Sequence, residues 1–250
     1  MYIDLNKAKE SFLNYTENFD LNEPMIELKI THSLRVMEIA NLLAKKMNLN
    51  EEDTEIATII GLLHDIARFE QYTKYRTFRD MDSIDHGDLA VEILNKDMRN
   101  YIETDKYDSL IKIAIKNHNK FLIEDGLSER ELFFSKLIRD ADKLDILYQA
   151  TYKFWKDNIN IVNNSELNPN VYEAFCKHEL IKRVKGENYD NINKVLTTIA
   201  FIFDINFKES FEIIYEKNYI NQTLDRFNYK DKDIFENIRK VANNYIKDNI

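Results

Sequence analysis

Glycine and proline are scarce, at 4 and 2 among 250 residues. That is 6 of 250, against roughly 12% for the two together in average proteins. Sheets need turn residues, and βαβ folds place glycine at their tight connections. The deficit therefore argues for long helices joined by short polar links. There is no glycine-rich phosphate loop, which excludes Rossmann- and Walker-type nucleotide sites. The single cysteine, Cys176, excludes an intrachain disulfide and a thiolate zinc cluster and fits a reducing compartment. No run of about 18 apolar residues occurs; the most apolar stretch, residues 56–63, contains Thr58 and stops at His64-Asp65. The first residues, Met1-Tyr2-Ile3-Asp4-Leu5-Asn6-Lys7, hold no apolar signal core. The expectation is a cytoplasmic protein with no membrane partner. An excess of basic charge is missing too: 35 basic against 44 acidic residues gives −9. That balance is wrong for gripping a nucleic-acid polymer, which needs a basic face. It leaves a small anionic substrate open, because local charge can oppose the global sign.

What is present is material for a core: 44% hydrophobic and 12% aromatic residues. Helical spacing recurs along the chain. Ile26, Leu28, Leu34, Val36, Ile39, Ala40, Leu43 and Met47 form one stripe, and Ile56, Ile59, Ile60 and Leu63 another, opened by Asn50 as a cap. Further helices are expected over 88–98 and 108–118. Ser128-Glu129-Arg130-Glu131 reads as a capping box opening a helix through Leu132, Leu137, Ile138, Ala141, Leu144 and Tyr148. Beyond about Tyr152 the chain is richer in Asn, Phe and Tyr. Helices are expected there over 171–184, 192–203, 207–215 and 234–246, with 160–170 as the main loop, Pro169 near its end. The fold class is all-α, a single domain with a C-terminal helical extension over 151–250.

There are five histidines: His32, His64, His86, His118 and His178. The first four fall at intervals of 32, 22 and 32 residues, each in or beside a different expected helix. Asp65 follows His64, and Asp142 lies 24 residues after His118. Any one of these histidines taken alone reads as a satisfied core residue. The set reads differently, because an Asp after Leu62-Leu63-His64 is expensive to bury unless paired or bound to a cation. Imidazole nitrogens and carboxylate oxygens suit borderline divalent ions. Periodicity does not choose among Asp140, Asp142 and Asp145, which all flank the apolar stripe of their helix.

Thr31-His32-Ser33-Leu34-Arg35-Val36, Gly61-Leu62-Leu63-His64-Asp65-Ile66 and Ala141-Asp142-Lys143-Leu144, in that order, resemble the HD-domain superfamily of metal-dependent phosphohydrolases. The resemblance implies an all-α HD bundle with a metal-binding core over about 26–150. It selects Asp142, and matches His32, His64, Asp65 and Asp142 to the ligands of one metal. His86 and His118 match positions that bring a second, with Asp65 between the two. Asp145 is left as a supporting residue. Arg68, three residues after Asp65 and so on the same helix face, matches a substrate-facing basic position. The implied roles are catalysis for Asp65 and both catalysis and substrate binding for Arg68; apart from the resemblance, Lys143 is a substrate-binding candidate because it lies beside a ligand position and could neutralise phosphate. The implied cofactor is one or two divalent ions (Mn, Fe, Co, Ni, Mg or Zn). The implied reaction is hydrolysis of a small phosphorylated compound, a nucleotide or related phosphoester, through a metal-activated water. Residues 151–250 would wall the substrate pocket, and pairing of chains into a homo-oligomer stays open.

There are departures. Ala67 stands where many members carry Gly, and His118 is followed by Asn119-Lys120-Phe121-Leu122 rather than Gly-Tyr-Pro. The second departure disfavours the cyclic-di-GMP phosphodiesterase branch. The alternatives are an HD-type di-iron oxygenase and a non-catalytic nucleotide-binding module. Cys176 with His178, and Trp155 with Phe201 and Phe203, read as packing residues. Lys116 and Lys120 read as solvated surface.

Overall fold

The computed structural model describes residues 3–182 and 191–250. Among them the secondary structure is α-helix and two 3-10 turns, with no strand. The chain is all-α, as its lack of turn residues requires. No described helix is long and apolar enough to cross a membrane. The fold divides into two compact units, one ending at Asp142 and the other beginning at Lys143.

The first unit contains α1 (Leu5–Thr16), α2 (Pro24–Lys46), α3 (Glu51–Leu63), α4 (Arg68–Tyr75), α5 (His86–Tyr101), α6 (Asp108–Asn117) and the first half of α7 (Glu129–Tyr152). Its core helix is α3, which packs against α1, α2 and α6. Ile56, Ile59, Ile60, Leu62 and Leu63 are all fully buried on it. Each contributes roughly 1.5–3 kcal/mol of transfer free energy, enough together to fix where α3 ends. The start of α3 is set by Asn50, whose side chain accepts from the Asp53 amide at 2.8 Å. Glu51, Glu52 and Asp53 in the first turn complement the helix dipole. Gly61 lets α2 and α3 cross closely: a Cβ there would lie 2.9 Å from Met37 Cα and from the Val36 carbonyl oxygen. The capping box of α7 forms as the sequence indicates, with the Ser128 amide donating to Glu131 Oε2 at 2.8 Å and the Glu131 amide to Ser128 Oγ at 3.3 Å.

The second unit holds the rest of α7 with α8 (Ile159–Asn164), α9 (Pro169–Cys176), α10 (Ile192–Ile199), α11 (Lys208–Glu216), α12 (Tyr219–Leu224) and α13 (Lys232–Asp248). Helix α13 packs on α9, α11 and α12. Thr151 on α7 hydrogen-bonds Thr223 on α12 at 3.0 Å, and Arg226 donates to the Ala150 and Phe154 carbonyls at the end of α7.

Three expectations need correction. The segment 160–170 is not all loop: Ile159–Asn164 is α8, whose Val162 is fully buried. The irregular part is 165–168, and Pro169 opens α9 at a position where its missing N–H costs nothing. The helix expected over 171–184 is shorter, ending at Cys176; residues 183–184 lie outside the described residues. The helix expected over 192–203 tightens into a 3-10 turn over Ala200–Asp204.

Candidate metal centre

Three helix ends, one turn and two helix interiors supply the site, all within the first unit. His32 lies on α2, one turn before buried Val36. His64 caps the C-terminus of α3, and Asp65 follows in the turn before α4. His86 is the first residue of α5, whose N-cap is Asp85. His118 caps the C-terminus of α6. Asp142 comes from α7. Burying apolar stripes of different helices thus delivers residues far apart in sequence to one place. His32, His64, Asp65, His86 and His118 are all buried.

The imidazoles are oriented by their Nδ1 atoms. His64 Nδ1 lies 2.8 Å from the Gly61 carbonyl, His118 Nδ1 2.6 Å from the Ile115 carbonyl, and His86 Nδ1 2.7 Å from Asp80 Oδ2. The nearest partner of each is an acceptor (His86 Nδ1 lies farther, 3.2 Å, from the Asn119 amide nitrogen), so each Nδ1 carries the proton and each Nε2 is left as a lone pair. Those Nε2 atoms converge. His64 Nε2 is 3.2 Å from His32 Nε2, and His86 Nε2 is 2.9 Å from His118 Nε2. Lone pairs that close repel unless a proton or a cation lies among them. Burial pushes the His118 imidazole down to about 4, so at neutral pH it holds no second proton to share. The donor set therefore fits a cation.

Asp65 stands between the two pairs. Its Oδ2 is 3.3 Å from His32 Nε2 and 3.7 Å from His64 Nε2. Its Oδ1 is 3.3 Å from His86 Nε2 and 3.6 Å from His118 Nε2. Asp142 Oδ1 joins the first pair, 3.1 Å from His32 and 3.7 Å from His64. Two groups within this cluster meet the spacing for a metal ion, His32–His64–Asp142 and His64–Asp65–His118. Burial pushes the Asp65 carboxyl up, but Lys29, His64 and Arg68 outweigh it and hold it well below the ordinary carboxylate range. Asp142 is likewise held low, burial being overcome by the neighbouring His32 and His64 imidazoles. Both are anions at neutral pH.

Arg68 sits beside Asp65, its Nε 3.2 Å from Oδ1. Its Nη1 donates to Gln71 and to the Phe78 carbonyl, each at 2.7 Å, and to Asp80 at 3.0 Å. Lys143 belongs to the second unit, where its ammonium pairs with Asp204 at 2.6 Å. Asp145 accepts from Gln149 at 2.7 Å, and Asp140 is fully buried on α7. Lys116 pairs with Glu124, and Lys120 with Asp85 and Asp88. Cys176 Sγ lies 3.7 Å from Asn237 Nδ2, while His178 stacks on Phe203 and Tyr245.

Sequence reasoning missed two charged neighbours. Lys29 Nζ is 2.6 Å from Asp65 Oδ2 and 5.1 Å from the Phe78 ring centre. Its signal was available, since it lies three residues before His32 on one helix face. Asp80, in a turn without periodicity, gave no such signal.

A family model described as HD domain matches residues 30–147. These residues form an HD domain. The matched span runs from just before His32 to just after Asp142, so it takes in His32, His64, Asp65, His86, His118 and Asp142. HD domains bind divalent metals, and members of the family are usually phosphohydrolases. No curated protein and no solved structure gives a significant match to the chain.

Proposed function

We propose that the protein is a metal-dependent phosphohydrolase acting on a small phosphorylated compound, a nucleotide or related phosphoester. The observation that carries this reading is the division of Asp65, one oxygen toward His32 and His64 and the other toward His86 and His118. Such a carboxylate is suited to holding two cations. His32, His64, Asp65 and Asp142 would hold one ion, and His86, His118 and Asp65 the other. Divalent ions in such a pair neutralise phosphoryl oxygens and make water acidic enough to serve as a nucleophile at neutral pH.

The chain's own residues do the rest. Asp65, ionised and buried, accepts a hydrogen bond from the attacking water and so aims its oxygen at phosphorus. As that P–O bond forms, the water gives up a proton, the ester P–O bond breaks and the leaving oxygen takes a proton in its turn, giving an alcohol and phosphate. Arg68 has Nε and Nη1 committed to protein acceptors, so its Nη2 is the donor offered to a phosphoryl oxygen. Lys29 supplies a second positive charge beside Asp65.

The test is phosphate release from a panel of nucleoside mono- and triphosphates and simple phosphoesters, with Mn²⁺, Mg²⁺ or Co²⁺, for wild type and Asp65→Ala. Metal-dependent turnover lost in the variant is the expected outcome. Turnover that survives in Asp65→Ala, or none with any metal and substrate, overturns the reading.

A further inference from the structure

The proposed reaction uses the Nε2 edge of His86 and one end of Arg68; neither residue holds itself in place. Asp80 touches both. It lies in the short 3-10 turn Asp80–Asp82 between α4 and α5. Its Oδ2 accepts from His86 Nδ1 at 2.7 Å and from Asn119 Nδ2 at 3.0 Å. Its Oδ1 accepts from Arg68 Nη1 at 3.0 Å and from Gln71 Nε2 at 2.8 Å. The turn itself is pinned from the same side chains. Gln71, fully buried, also donates to Ser83 Oγ and the Ile84 carbonyl, both at 2.9 Å. Asn119 Nδ2 also lies 3.0 Å from Asp85 Oδ1. Gly87 makes room for Asn119, because a Cβ at that position would lie 2.4 Å from Asn119 Oδ1.

We propose that Asp80 is a positioning residue that couples the second cation subsite to the anion-facing arginine. With one oxygen it keeps the His86 proton on Nδ1, leaving Nε2 as a lone pair 3.3 Å from Asp65 Oδ1. With the other it fixes the guanidinium of Arg68. Cation affinity at His86 and His118 and substrate affinity through Arg68 therefore depend on one carboxylate. This rests on the reading of the site as a two-ion phosphohydrolase.

The isosteric change Asp80→Asn tests both duties. An amide offers one accepting oxygen and two N–H donors. Whichever way it turns, its NH₂ faces a donor, either His86 Nδ1–H or the N–H groups of Arg68 and Gln71. The experiment strips the full-length wild type and Asp80→Asn of metal and titrates each with Mn²⁺ by calorimetry. Electron paramagnetic resonance of the loaded protein reports whether two manganese ions sit as a coupled pair. KM and kcat follow at saturating manganese on a phosphoester that the wild type turns over. The wild type is expected to bind two ions. Asp80→Asn should keep the first and bind the second about 10–100-fold more weakly, with the coupled signal reduced and KM raised. A merely structural role would lower the melting temperature and leave stoichiometry and the coupled signal alone. Should Asp80→Asn fail to fold, Asp80→Ser is the second variant, and the same loss is expected. Wild-type affinities for both ions in the variant overturn this proposal and leave the hydrolase reading standing. A wild type that binds no ion pair overturns both.

Discussion

At the scale of single residues, the site is a problem of unshared lone pairs and charge. Buried imidazoles with Nδ1 spent on carbonyls or a carboxylate have only Nε2 to offer, and two ionised carboxylates lie among them. Without a cation this arrangement answers to pH. His118 has its folded value pushed from 6.5 to about 4 by burial. Between those values the unfolded chain binds the proton and the folded chain does not, so stability falls as pH falls through that window. Across that window roughly 3 kcal/mol is lost by pH 4. Asp65 and Asp142, held below the ordinary carboxylate value, lose their contribution at still lower pH and in the same direction. Urea unfolding of metal-free protein at pH 7, 5.5 and 4.5 checks this; a midpoint that does not move between pH 7 and 4.5 would contradict it. Lys29→Ala is predicted to leave folding intact and to weaken substrate binding, because a positive charge beside Asp65 is gone. The measurement is KM at saturating metal, with an expected rise of roughly tenfold, equivalent to about 1.4 kcal/mol.

At the scale of elements, the close crossing of α2 and α3 decides whether His32 and His64 meet. Gly61→Ala tests it. In an ordinary helix interior that change gains about 1 kcal/mol from propensity. Here the new Cβ meets Met37 Cα and the Val36 carbonyl oxygen at 2.9 Å, backbone that has no rotamer to change. The overpacking cost of roughly 1–3 kcal/mol wins. A lower melting temperature and weaker Mn²⁺ binding are expected together, because the helices part where the two histidines converge. Asn50→Ala, which removes the cap at the other end of α3, should cost about 1 kcal/mol and leave metal binding unchanged. Those two variants separate loss of stability from loss of geometry by thermal melts and metal titration alone.

Legibility from sequence followed the same physics. Helices with a broad apolar stripe and a capping residue, α2, α3, α7 and α13, were legible because burial and caps leave marks in the chain. Short ones were not. Helix α8 is six residues of mostly Asn, Ile and Val, and only Val162 betrays its buried side. Helix α10 passes into a 3-10 turn at Ala200 without any change in apolar pattern, because the tightening is imposed by tertiary packing. In the site, ordered motifs brought out His32, His64, Asp65, His86, His118 and Asp142, whereas spacing alone left Asp140, Asp142 and Asp145 equivalent. Asp80 stayed hidden because a turn residue that works by hydrogen bonding has no periodicity to announce it.

At the scale of the whole molecule, a chain with a net charge of −9 concentrates buried nitrogen and carboxylate donors in its first unit. A folded state that binds a cation better than the unfolded chain does is stabilised by it, by about 2.7 kcal/mol when free metal is a hundred times its Kd. Chelation should therefore lower the melting temperature, and Mn²⁺ should restore it, while Asp65→Ala should show neither change. The most direct test of the central claim is an anomalous difference map from crystals grown with Mn²⁺. Two peaks are predicted, on either side of Asp65 and roughly 3.5–4 Å apart, one against His32, His64 and Asp142 and one against His86 and His118. A map with no peak among these side chains, at a manganese concentration that saturates the protein in solution, would contradict the account.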